Sequence, residues 1–150
     1  LNDDAEGKPW NTAGVFVPLS GTAEPMCDVS SKIDFISGTR HAEKAVITLR
    51  KFDGGVTEIT MRPRFHWYMK GVGYGHSEFG HGHYHGGDAQ LFEEYALADM
   101  DDALNLHIQA ICDVSMEGDL GSHVGKGVLE QLILGPHAPS GFTELLDMAP

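Results

Sequence analysis

At 150 residues the chain has the length at which one hydrophobic core is well supported, and with 41% hydrophobic and 21% charged residues it has the balance of a folding chain. A formal net charge of −12 repels phosphate backbones and anionic headgroups, so nucleic acid is not expected as a partner. The apolar runs fall far short of the ~20 residues of a membrane helix, so no membrane insertion is expected.

In chain order, residues 1–12 are polar and rich in Asp, Gly and Pro, and read as an irregular N-terminal arm ahead of a single domain, 13–150. Short apolar runs at 15–19 and 32–37, bounded by turn-forming residues, are strand candidates. Residues 43–61 carry the clearest local pattern. Ala45, Ile47 and Leu49 alternate with Lys44, Thr48 and Arg50, Asp53-Gly54-Gly55 supplies a turn, and alternation resumes from Val56, which together predict a β-hairpin. Residues 64–70 alternate again, with Phe65, Trp67 and Met69 on one face and Arg64, His66, Tyr68 and Lys70 on the other. A short helix is expected at 91–100. Residues 104–112 alternate so that Leu104, Leu106, Ile108, Ala110 and Cys112 share a core-facing side. One more strand is expected at 127–134 and a turn of helix at 143–148. About seven short strands with at most one or two short helices predict a mainly β fold, an antiparallel β-sandwich of immunoglobulin or cupredoxin-like architecture.

The segment 71–88 holds four of the nine histidines, His76, His81, His83 and His85, among closely spaced glycines. Neutral imidazole is a ligand for copper and zinc, and residues two apart in an extended chain place their side chains on one side, roughly 6.6 Å apart. Glycine lets such a loop curl to bring in further ligands. The expected metal ligands are therefore His76, His81, His83 and His85, completed by His66, Met69, Glu78 and Asp88, with a copper or zinc ion as the cofactor. A solvated His/Gly loop is the alternative reading of the same segment. His66 and His107 sit on faces opposite the clear apolar rows, and His41, His123 and His137 fall in turns and carry no expected role.

Trp67, Met69, Gly71, Gly73, Gly75, His76 and Ser77 resemble the aromatic-x-Met, Gly-rich, Gly-His-Ser segment of the YtkA/FixH-like β-sandwich proteins, with Lys70 and Val72 in place of that pattern's Pro and second Met. The resemblance implies a cell-envelope setting and copper handling.

Two cysteines far apart in sequence, Cys27 and Cys112, suggest a disulfide and hence an oxidising compartment, periplasmic or secreted, with the chain as the mature form after signal removal. Two separately buried thiols are the other reading. The acidic run Glu93, Glu94, Asp99, Asp101 and Asp102 lacks the offsets of a calcium loop, and neither a nucleophile elbow nor a phosphate loop is present, so hydrolase and nucleotide chemistry are not indicated, while a metalloenzyme with an open coordination position stays a third reading. The expected function is metal binding in an accessory, chaperone or storage role, with a metal ion and a partner protein as its partners. The competing expectation is a structural or assembly subunit of a cell-surface complex that uses the His-rich loop as a protein contact.

Overall fold

The computed structural model describes residues 12–70, 86, 87, 94, 96, 98, 106–131 and 136–144, with backbone alone at 69, 70, 106, 107 and 140. β1 (Val15–Phe16) pairs with β2 (Glu24–Pro25) in a small antiparallel sheet. β3 (Asp28–Phe35), β4 (Ala42–Arg50), β5 (Val56–Lys70), β6 (Leu106–Gly118) and β7 (His123–Gln131) form a five-stranded antiparallel sheet in sequential order. The expected mainly β, sandwich-like class is what the chain adopts. Its large sheet is a plain meander, so it shares the two-sheet architecture of immunoglobulin domains without their Greek-key connections.

The hairpin read from 43–61 is present as β4 and the first part of β5. Its turn is closed by Lys51 N–H donating to the Gly55 carbonyl at 2.8 Å, with Gly54 at φ 92°, a left-handed value that glycine adopts without steric cost. The strand at 15–19 contracts to β1, that at 32–37 extends backwards as β3, and that at 104–112 extends to Gly118. The strand expected at 127–134 begins earlier, at His123, and residues 132–135 lie outside the described residues. The helices expected at 91–100 and 143–148 fall largely outside them too, and the one helical element described is a 3₁₀ turn at Ala138–Ser140.

One face of the large sheet carries the core. Ala42, Ala45, Met61, Ala110, Cys112 and Leu129 form one cluster, with Ile33, Ile47, Ile59 and Val114 against it. A second cluster, Met26, Val29 and Leu49, is covered by Phe16 of the small sheet and by Leu120. As anticipated, Ile108, Ala110 and Cys112 point inward on β6.

β5 departs from simple alternation. Through Met61↔Val114 and Pro63↔Cys112 its odd-numbered residues face the core, and then the register shifts between Pro63 and Phe65, leaving Arg64 as the extra residue of a bulge. Beyond it the even-numbered residues face inward. His66 and Tyr68 are half-buried, while Phe65 and Trp67 are 61% and 60% exposed. The expectation that His66 lies away from the covered face is therefore reversed, because the bulge exchanges the two faces of the strand.

The opposite end of the sheet is fixed by close backbone approach. Thr57 is fully buried and its Oγ1 accepts from Leu120 N–H at 3.0 Å, while the Asp119 carboxylate accepts from Val56 N–H at 2.6 Å. Between them Gly118 sits at φ 139°, where a Cβ would lie 2.3 Å from the Val56 carbonyl oxygen. Gly118→Ala is therefore expected to destabilise the fold by about 2–3 kcal/mol, read as a lower denaturant midpoint in equilibrium unfolding. Gly125→Ala, where an added Cβ meets nothing within 4 Å, is the control and should leave the midpoint nearly unchanged.

Candidate functional site

Past the bulge, the inward side of β5 meets the turn between β3 and β4. Ile36 N–H donates to the His41 carbonyl at 2.9 Å, Thr39 Oγ1 donates to the Ile36 carbonyl at 2.8 Å, and His41 N–H donates back to Thr39 Oγ1 at 3.1 Å. Gly38, at φ 75°, makes the reversal. This turn lays Arg40 and His41 over the end of β5.

Gln131, buried at the end of β7, holds the turn from the far side of the sheet. Its Nε2 donates to the Arg40 carbonyl at 3.2 Å and its Oε1 accepts from Ala42 N–H at 3.4 Å. In a flat sheet β4 and β7 would be about 14 Å apart, three spacings of ~4.8 Å, farther than a glutamine reaches. The sheet must therefore curl until the start of β4, its second strand, comes within reach of the Gln131 side chain of β7, and the side chains inside the curl are drawn together.

Those side chains are Arg40, His41, His66 and Tyr68. The His41 and His66 rings stack with centroids 4.5 Å apart at 25°, and Tyr68 Oη shares a 2.7 Å hydrogen bond with His41 Nε2. His66 Nε2 is buried and has no hydrogen-bond partner among the described residues. Burial lowers the pKa of His41, and the neighbouring His66 and Arg40 charges lower it further. Burial alone lowers that of His66. Tyr68 is pushed up by burial, with Arg40 opposing, and Arg40 is itself lowered by burial. Near neutral pH the site thus presents two uncharged imidazoles and a protonated phenol. Nearby, His137 is buried and meets Phe35 edge to face at 5.0 Å.

Of the residues expected to ligate metal, the described part of the chain includes His66, with its side chain, and Met69, whose backbone pairs with His107 of β6. His76, Glu78, His81, His83, His85 and Asp88 lie outside the described residues. Among the described residues no group of three or more His, Cys, Asp or Glu side chains could hold a metal ion. His41, Tyr68, Arg40 and Gln131 carried no expected role. Their signal in the sequence was slight: a proline at 63, which favours a bulge in a strand that cannot otherwise accommodate it.

The disulfide expectation is corrected. Cys27 is exposed, Cys112 is buried, and both are free thiols. Cys27 N–H donates to the Arg50 carbonyl, at the end of the sheet where Thr57 faces Gly118, whereas Cys112 pairs with Pro63. The offset along the strands is roughly 20 Å at ~3.3 Å per residue, far beyond the ~7 Å between Cα atoms that a bridge spans. Cys112 packs as a small core residue, its Sγ–H donating to the Ala110 carbonyl, and burial raises its pKa.

The depressed histidines tie stability to pH. An unfolded chain takes up protons near the ordinary value of 6.5, whereas the folded protein holds these imidazoles neutral to lower pH, so their contribution is complete above that value and drains away as pH falls below it. Chelator-treated protein is expected to show a falling denaturant midpoint between pH 7.5 and 5.5, and His66→Gln a visibly smaller fall. Equal slopes in the two proteins would contradict this assignment.

The chain belongs to a family of unknown function, DUF8625, whose model matches residues 1–143. No curated protein and no solved structure matches it.

Proposed function

We propose that this DUF8625 member binds a transition-metal ion, copper or zinc, through the histidines of the connection between β5 and β6, with His66 as a ligand anchored in the sheet. The observation that carries the reading is the buried Nε2 of His66, without a partner among the described residues, on the strand whose end, Lys70, runs directly into the segment bearing His76, His81, His83 and His85. A buried polar atom without a partner is costly, and coordination would satisfy it. Its lowered pKa keeps the ring uncharged near neutral pH, so one of its two nitrogens has a lone pair ready to coordinate.

Arg40 limits the arrangement. Its charge lowers the pKa of His41 and so disfavours a cation held at that ring, whereas His66 feels burial alone. Most ligands must then come from the 71–88 segment, where the carboxylates of Glu78 and Asp88 offset the charge. His66 is one donor among several, and Met69 remains a candidate of the same strand. Such a site suits an accessory protein that stores an ion or hands it to a partner, and it requires no bond-making step. An extracytoplasmic setting belongs to the same proposal. It rests on the resemblance of residues 67–77 to the envelope β-sandwich proteins, since free Cys27 and Cys112 remove the cysteine argument.

The test is calorimetric titration of metal-free, untagged protein with zinc and with copper(II). The parent should take up about one equivalent, His81→Ala/His83→Ala/His85→Ala should lose tight uptake, and His66→Ala should weaken it by at least on the order of tenfold. If the parent binds neither ion tightly, the proposal fails and the connection is better read as a protein contact in an assembly, a role for which the exposed Phe65 and Trp67 would then be the supporting observation.

A further inference from the structure

β7 is the last strand of the large sheet: it is hydrogen-bonded to β6 on one side and, among the described residues, to no strand on the other. Edges of this kind are usually guarded by proline, bulges or runs of charge. β7, HVGKGVLEQ, has no proline, pairs with β6 in unbroken register, and carries Val124 and Val128 at 88% and 55% exposure on its outer face. Its two outward charges are Lys126 and Glu130. The other edge strand, β3, carries three charged residues, Asp28, Lys32 and Asp34, and a register shift between Asp34 and Phe35, so it has the guards of an edge that β7 has in smaller measure.

We infer that β7 pairs antiparallel with β7 of a second copy, continuing the sheet across a twofold axis at Val128. The register follows from the side chains. Centring the axis on Lys126 sets two lysines directly opposite each other, centring it on Glu130 sets two glutamates opposite, and centring it on Gly127 sets both charged residues against valines. With Val128 at the axis, Val128 meets Val128 and each Lys126 faces the other copy's Glu130. Opposite-charge cross-strand pairs stabilise and like charges destabilise, so this register is the self-complementary one.

The rows extending from β7 support it. Phe65, Ile111 and Val128 are successive cross-strand neighbours, so the junction makes one apolar row from Phe65 to Phe65 of the second copy. In the adjacent row Arg62, Asp113 and Lys126 alternate in sign, with Lys126 ion-paired to Asp113, and Glu130 of the second copy continues the alternation. A second copy is thus matched at both the apolar and the charged positions.

Sedimentation velocity in chelator, which removes any metal-mediated association, tests this on the full chain. The parent at high micromolar concentration should sediment at twice the mass of one chain. Val128→Lys, Lys126→Glu and Glu130→Lys should each weaken association by on the order of tenfold or more, with far-UV circular dichroism unchanged. Mixing the Lys126→Glu and Glu130→Lys proteins should restore the dimer, because each then supplies the charge that the other lacks. A parent that stays monomeric, or a dimer indifferent to all three substitutions, would overturn the inference, as would a mixture that remains monomeric.

Discussion

The bulge between Pro63 and Phe65 decides what each half of the longest strand presents to the interior. Before it, Thr57, Ile59, Met61 and Pro63 line an apolar core, and after it His66 and Tyr68 take the inward positions while Phe65 and Trp67 turn outward. One extra residue therefore converts the far end of a hydrophobic face into a packed polar cluster. Without it, two aromatic rings would point inward and the imidazole of His66 would sit in solvent.

A polar cluster of this sort stands only if the backbone around it is fixed. The curl of the sheet brings Gln131 of β7 to the turn before β4, where its amide satisfies both the Arg40 carbonyl and the Ala42 N–H. The small residues Ala42, Ala45 and Ala110 and the free Cys112 allow the strands to approach under that curl. Desolvation then does the electrostatic work. It holds His41 and His66 neutral and Tyr68 protonated, and it places Arg40 where its charge disfavours a second cation. The same enclosure that depresses the imidazoles leaves His66 Nε2 without a hydrogen-bond partner among the described residues.

Much of the architecture was legible in the chain because period-2 alternation and turn glycines are local signals. Ala45, Ile47 and Leu49, the Asp53-Gly54-Gly55 turn, and the inward row of Ile108, Ala110 and Cys112 all stand where their pattern put them. The site was less legible, since its geometry depends on contacts between distant residues. The stacked pair joins a turn residue to a strand residue, and Gln131 reaches Arg40 across the chain. A bulge also leaves the apparent alternation of 64–70 intact while inverting which side faces the core. The cysteines illustrate the same point: two thiols suggest a bridge, but register sets them far apart. The histidines of 76–85 were conspicuous by composition, and His66 was expected among the completing ligands, but its inward orientation came only from the fold.

The most direct measurement is long-range ¹H–¹⁵N correlation of the histidine rings during zinc titration of the labelled protein, since it reports each imidazole nitrogen separately. A metal site anchored in the sheet predicts that His66 Nε2 moves to the shift of a coordinated nitrogen together with nitrogens of the 76–85 histidines, while His41 Nε2 keeps its hydrogen bond to Tyr68. If the 76–85 histidines shift and His66 does not, the sheet plays no part in binding and its buried pair is a feature of packing alone.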